Sequence, residues 1–168
     1  MIPSLPRRRI VAALAGGAAL ALAGCGFQLR GAQPLGFSSI YLGVSAQSDL
    51  GAALRRRVLA NGTTDVVDDP KDAEVNLQIL QNRQNREILT LSGAGKVREY
   101  ELRHEIGFHL VDRAGNERIP PTTISAKREY TYDDRQVLAK EQEEILLFRD
   151  MQTDLVDQLM RRLAAAKS

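Results

Sequence analysis

From Ala73 onward the apolar residues fall on every second position, and this period of two narrows the fold more than any other feature of the chain. Ala73, Val75, Leu77 and Ile79 alternate with Glu74, Asn76, Gln78 and Leu80; the polar run QNRQNRE continues the segment, and Ile88 to Leu91 resumes it. Successive side chains of a strand point to opposite faces, so the run predicts a strand with one face for a core and one for solvent. Ser92-Gly93-Ala94-Gly95 then supplies a turn. The next strand alternates more cleanly, with Tyr100, Leu102, His104, Ile106, Phe108 and Leu110 on one face. Arg98, two residues before Tyr100, extends that face beyond the core. A second turn follows at Asp112 to Asn116 (DRAGN), and a further strand covers Thr122 to Tyr132. Pro120-Pro121 marks a sheet edge, because proline has no N–H to give a ladder. Strands joined by such short turns pair antiparallel.

A sheet with one apolar face needs a second layer to cover it. Two segments supply one. Ser48 offers an N-cap with Asp49 in the first turn, and Leu50, Leu54, Val58 and Leu59 follow at helical spacing until Asn61-Gly62 stops the helix. Arg55, Arg56 and Arg57 form its solvated face. Between Lys140 and Ala166 there is neither Gly nor Pro, and Ile145, Phe148, Met151, Leu155, Leu159 and Leu163 recur at intervals of three and four. Glu141, Glu143 and Glu144 crowd the start of this helix and Arg161, Arg162 and Lys167 its end, the polarity that a helix dipole favours. Phe37 to Val44 (FSSIYLGV) reads as the first strand. The expected order is β-α-β-β-β-α. The first crossover should be right-handed and set strands one and two parallel. The expected architecture is an α+β two-layer sandwich, a four-stranded mixed sheet with two helices packed on one face.

The N-terminal residues have a different character. Arg7, Arg8 and Arg9 precede fifteen uncharged residues of Ile, Val, Leu, Ala and Gly, from Ile10 to Gly24. As a helix those would span roughly 22 Å, short of the roughly 30 Å hydrocarbon core of a bilayer. A charged start, a short apolar centre and small residues at the end read as an export signal over residues 1–24. Leu22-Ala23-Gly24-Cys25 resembles a bacterial lipobox, in which cleavage precedes a cysteine that then carries lipid. Cys25 is the only cysteine, so neither an intramolecular disulfide nor a cysteine metal site competes for it. Several acyl chains on it would make a lasting anchor where one alone holds weakly. Gly26 in place of Asp, as the lipobox resemblance implies, points to the outer membrane, with the protein on its periplasmic side. Residues 25–36, with Gly and Pro and no period, are expected to be a tether, and residues 37–168 a single domain.

Removing the signal changes the charge balance. The chain has 23 Lys and Arg against 21 Asp and Glu; three of the arginines lie before Cys25, which leaves 20 against 21. A near-neutral mature chain gives no support to nucleic-acid binding. Catalytic patterns are also missing. His104 and His109 are five apart on one strand and point to opposite faces, so they cannot share a metal. His104 belongs to the apolar face and is expected to be a hydrogen-bonded core residue. SGAGKV lacks the spacing and the Ser or Thr of a phosphate loop. Asp133-Asp134 and Glu143-Glu144 are sequence neighbours that do not face each other. No enzyme activity, cofactor or metal is expected.

Cys25-Gly26-Phe27-Gln28-Leu29-Arg30-Gly31 resembles the mature start of the LptE family of lipopolysaccharide-assembly lipoproteins. The similarity continues, in order, through Glu99 to Leu102 (EYEL), Ile124 to Arg128 (ISAKR), Tyr132-Asp133, Val137 to Lys140 (VLAK) and Leu159 to Leu163 (LMRRL). It covers nearly all of residues 25–163. The resemblance implies the two-helix, four-stranded domain expected above and a partner, the β-barrel translocon subunit LptD, inside which the lipoprotein sits as a plug. It also implies direct binding of lipopolysaccharide. A lysine in the family's Leu-Ala-Lys motif is implicated in that binding and maps onto Lys140. The family's second basic position, at the hairpin after the second strand, is Ser92 and small residues here; Lys96 and Arg98, just past the turn, are the expected replacements. Two competing readings stand beside these: Lys140 as the i+4 ion-pair partner of Glu144, and the chain as an accessory lipoprotein of another outer-membrane assembly machine.

Overall fold

A computed structural model describes residues 34–166. The expected signal, Cys25 and all but the last three residues of the expected tether lie outside the described residues. The elements are β1 (Ser39–Gly43), α1 (Asp49–Asn61), β2 (Asp65–Val67), β3 (Val75–Leu91), β4 (Val97–Asp112), β5 (Glu117–Thr131), a short 3-10 turn (Asp134–Gln136) and α2 (Val137–Ala165). They form one mixed sheet in the order β2-β1-β3-β4-β5, with α1 and α2 packed together over a single core.

The sheet has five strands where the sequence predicts four. The extra strand, β2, is three residues long and pairs parallel with the outer side of β1 (Ser39 with Asp65, Ile40 with Val66, Tyr41 with Val67). Three residues carry too little alternation to be read as a strand. What makes them one is β1, whose outer N–H and C=O groups need partners. The expected parallel pairing of the first strand with the Ala73 segment holds, from Ile40 beside Val75 to Gly43 beside Gln78. β3, β4 and β5 are antiparallel, as their turns predict. β5 is an edge strand, and Pro120-Pro121 lies within it at a break in the β4–β5 register.

The ends of α1 follow the predicted chemistry. Ser48 Oγ accepts from Gly51 N at 3.1 Å, and Gly62, at φ 73°, closes the helix with its N–H on Leu59 O. Its Leu50, Leu54 and Val58 pack with Met151, Leu155, Leu159 and Leu163 of α2 over Ile40, Leu77, Leu102, Ile106, Phe108 and Leu110 of the sheet. Each such side chain contributes about 1.5–3 kcal/mol of burial. The packing begins at Leu35, which is already buried.

Length decides where the molecule is covered. β1 accompanies β3 only as far as Gln78, so the thirteen residues from Ile79 to Leu91 have β4 as their one neighbour strand. The three long strands thus run on past the two-helix core. There they meet the first half of α2, which has no fully buried residue before Met151.

Candidate functional site

The far end of the sheet gathers the expected ligand residues. The β3–β4 turn is closed by Ser92 N on Lys96 O at 2.7 Å and by Gly95, at φ 77°, on Ser92 O at 2.9 Å. Only glycine takes that φ at no steric cost. The turn thereby presents Lys96, which reaches Asp134 at 3.1 Å. Two residues on, the carbonyl of Arg98 accepts from Tyr132 N at 2.8 Å, which ties the end of β5 to β4 and leaves the Arg98 side chain exposed. Arg98 lines an open hollow of about 500 Å³ with Thr90, Leu91, Glu99, Thr131 and Tyr132. Lys140, in the first turn of α2, donates to Thr131 Oγ1 at 3.3 Å and to Glu143 at 2.8 Å. Residues 131–134 therefore lie against all three: the Lys96 ammonium on Asp134, the Lys140 ammonium on Thr131, and the backbone carbonyl of Arg98 on Tyr132.

Lys140 does not pair with Glu144, as the i+4 spacing allowed. Glu144 is taken by two groups from the sheet: Arg86 Nη1 donates to its Oε2 at 2.8 Å and the Tyr130 hydroxyl at 2.6 Å. A guanidinium and a phenol fixed on strands outcompete a flexible lysine on the same helix, because less side-chain freedom is lost. The Arg86 guanidinium also lies 4.7 Å from the Tyr100 ring centre, Tyr100 stacks on Tyr130 at 5.7 Å, and Tyr132 meets Tyr100 edge-on at 5.3 Å. The carboxylate of Glu144 raises the pKa of Arg86. Burial, then the bond to Glu144, pushes the Tyr130 phenol up, so it stays a donor at neutral pH.

Sequence reasoning missed Arg86. It stands in the polar run QNRQNRE, where nothing marks it off from Arg83. Its register opposite Leu102 puts it on the helix side of the sheet, and the parity of β4 was the available signal.

The same end is apolar at its surface. Ile88, Leu89 and Leu91 of β3 and Val137, Leu138, Ile145 and Leu146 of α2 are exposed, Leu138 to 78 %. Apolar side chains gathered around cations are unusual on a surface that contacts only water. Such a combination can hold an anionic amphiphile, phosphate oxygens on Lys and Arg and hydrocarbon beside them.

The histidines behave as the strand parity predicts. His104 is buried on the core face, its Nε2 2.7 Å from Asn82 Oδ1, and burial lowers its pKa; His109, on the other face, meets Gln78 at 2.7 Å. Among the described residues no three His, Cys, Asp or Glu side chains gather as a metal site, and no helix is long and apolar enough to cross a membrane. The helix-free face of the sheet is polar: Glu101 holds Arg103 at 2.9 Å and Lys127 at 3.2 Å, with Glu99, Glu105 and Glu129 beside them. Both cations hold the Glu101 carboxyl below its usual pKa.

The fold is that of a small α+β domain also found in bacterial lipoproteins. The "uncharacterized lipoprotein B" of Nitrosomonas europaea superposes with a TM-score of 0.72 at 34% identity, over 83% of this chain and 91% of that one. The rare lipoprotein B of Shewanella oneidensis does so with 0.67 at 29%, over 76% and 95%. Residues 37–163 match the model of the family described as "LptE: Lipopolysaccharide-assembly", and the chain belongs to that family. Among curated relatives, the LPS-assembly lipoprotein LptE of Photorhabdus laumondii is 25% identical over 160 residues, 94% of this chain and 86% of the relative.

Proposed function

We propose that this chain is an outer-membrane lipoprotein, anchored through Cys25, that plugs and supports the β-barrel LptD and binds lipopolysaccharide through Lys140, Lys96 and Arg98. The observation that carries the ligand half is that Lys140 and Lys96 both reach residues 131–134 while Arg98 lines the hollow shared with Thr131 and Tyr132, beside exposed Ile88, Leu91 and Leu138. Lipopolysaccharide joins phosphates to acyl chains, and that end offers a partner to each. The barrel half rests on the family and on the polar, helix-free sheet face, which suits the water-lined interior of a large barrel. Handling of this kind requires no bond to be made or broken: the domain binds, orients and releases.

Two measurements test the proposal. Purified protein carrying Lys96→Asp and Lys140→Asp should bind lipopolysaccharide at least about tenfold more weakly, since two cations become anions. Unchanged affinity removes the site. A C-terminally tagged chain, extracted in mild detergent, should bring an integral β-barrel with it; recovery of the chain alone from native membranes removes the plug.

A further inference from the structure

Three of the basic groups at this end already have an anion, and all three anions come from one short segment. Asp134 occupies Lys96, Glu143 occupies Lys140 and Glu144 occupies Arg86, at 3.1, 2.8 and 2.8 Å. Lys140, the lysine expected to meet the ligand, shows only 15% of its side chain to solvent. In this conformation its ammonium is held between Glu143 and Thr131 and has little surface to offer a phosphate. Arg86 is the reverse: 47% of its side chain is exposed, although its guanidinium is engaged by Glu144.

The acidic segment is also weakly tied down. Residues 133–150 contain no fully buried side chain; ion pairs and hydrogen bonds from Asp134, Lys140 and Glu144 reach the sheet and its turn, and half-buried Leu147 and Phe148 pack against the core, Phe148 edge-on to His104. Polar contacts of this kind exchange with water and with competing anions, whereas a buried apolar contact has no competitor in solution.

We infer that the carboxylates of Asp134, Glu143 and Glu144 act as a built-in counter-anion that keeps the ligand site closed, and that a phosphate-bearing amphiphile displaces them and gains Arg86 as a further ligand residue. The inference rests on the lipopolysaccharide reading above and adds to it the regulation of the same site. Displacement is a plain exchange of ion-pair partners: each carboxylate returns to water as the phosphate takes its cation. Asp134 and Glu144 release Lys96 and Arg86 as the ligand enters, and Glu143 releases Lys140 within its own helix turn.

The test uses the mature, lipid-bearing chain in detergent, with lipopolysaccharide and its dephosphorylated form as probes. Removing an anion that competes with the ligand must tighten binding. Glu144→Gln and Glu143→Gln should each raise affinity for lipopolysaccharide by about fivefold, the upper range for a partly shielded ion pair. Affinity for the dephosphorylated form should not change. Arg86→Gln placed on Glu144→Gln should erase that gain. If folded Glu144→Gln and Glu143→Gln bind no tighter than the parent while Lys96→Asp with Lys140→Asp still loses binding, the counter-anion idea fails and the ligand site stands. If the double lysine variant binds as the parent does, the ligand site fails and the inference with it. Should Glu144→Gln unfold, Glu143→Gln decides alone, because it removes a single i+3 pair and leaves the Arg86–Glu144–Tyr130 link in place.

Discussion

At the residue scale, His104 shows how a position can be read correctly and still hold something back. Its place on the apolar face of β4 follows from parity alone, and so does the need for a hydrogen-bond partner, met by Asn82. What parity does not show is that Nδ1 is buried without a partner and that burial lowers the pKa below 6.5. The folded state therefore resists protonation more than the unfolded state does. Its contribution is complete above the free value and declines as pH falls below 6.5, where the unfolded chain binds the proton first. The denaturation midpoint should drop between about pH 7.5 and pH 5.5, and His104→Gln, which keeps a polar partner for Asn82 but does not titrate, should flatten that drop. The carboxyls held low, Glu74, Glu101, Asp112 and Asp133, lose their charge at lower pH and leave this window to the histidine. Lys140 and Arg86 make the complementary point. The motif pointed to the first, and only the fold brought the second onto Glu144 of the same helix.

At the scale of elements, period and caps located β1, β3, β4, β5 and both helices, because each is long enough for its pattern to repeat. β2 was not legible, since three residues repeat nothing and its strand character comes from the edge of β1. Gly51 tests how strongly an element's neighbours can override its local preference. Alanine favours a helix over glycine by about 1 kcal/mol. In the first turn of α1, however, a Cβ at position 51 would sit 2.1 Å from the carbonyl oxygen of Ser45, a backbone atom that cannot swing aside. Gly51→Ala should therefore destabilise the domain by about 1–3 kcal/mol, the usual cost of overpacking, and chemical denaturation will read it directly. The opposite sign would mean that the Ser45–Ser48 loop yields without cost.

At the scale of the whole molecule, the proposed anchor at Cys25 is expected to act independently of the folded domain. Cys25→Ser should leave the melting temperature of the folded domain unchanged and move the protein from the membrane fraction to the soluble one; a shift in melting temperature would show that the lipidated end packs on the fold. The sequence by itself determined the layers, because alternation and helical spacing are properties of neighbours along the chain, and a buried face must be covered. Through short ordered matches it also marked the family. Only the tertiary structure decided which charges meet. Arg86 and Glu144 are 58 residues apart, Lys96 and Asp134 are 38, and no local rule selects those partners over the nearer acids and bases. Coulomb attraction is indifferent to sequence distance. Pairing is settled by whichever side chains the sheet register and the tilt of α2 bring within about 3 Å, where charged groups form their strong hydrogen bonds.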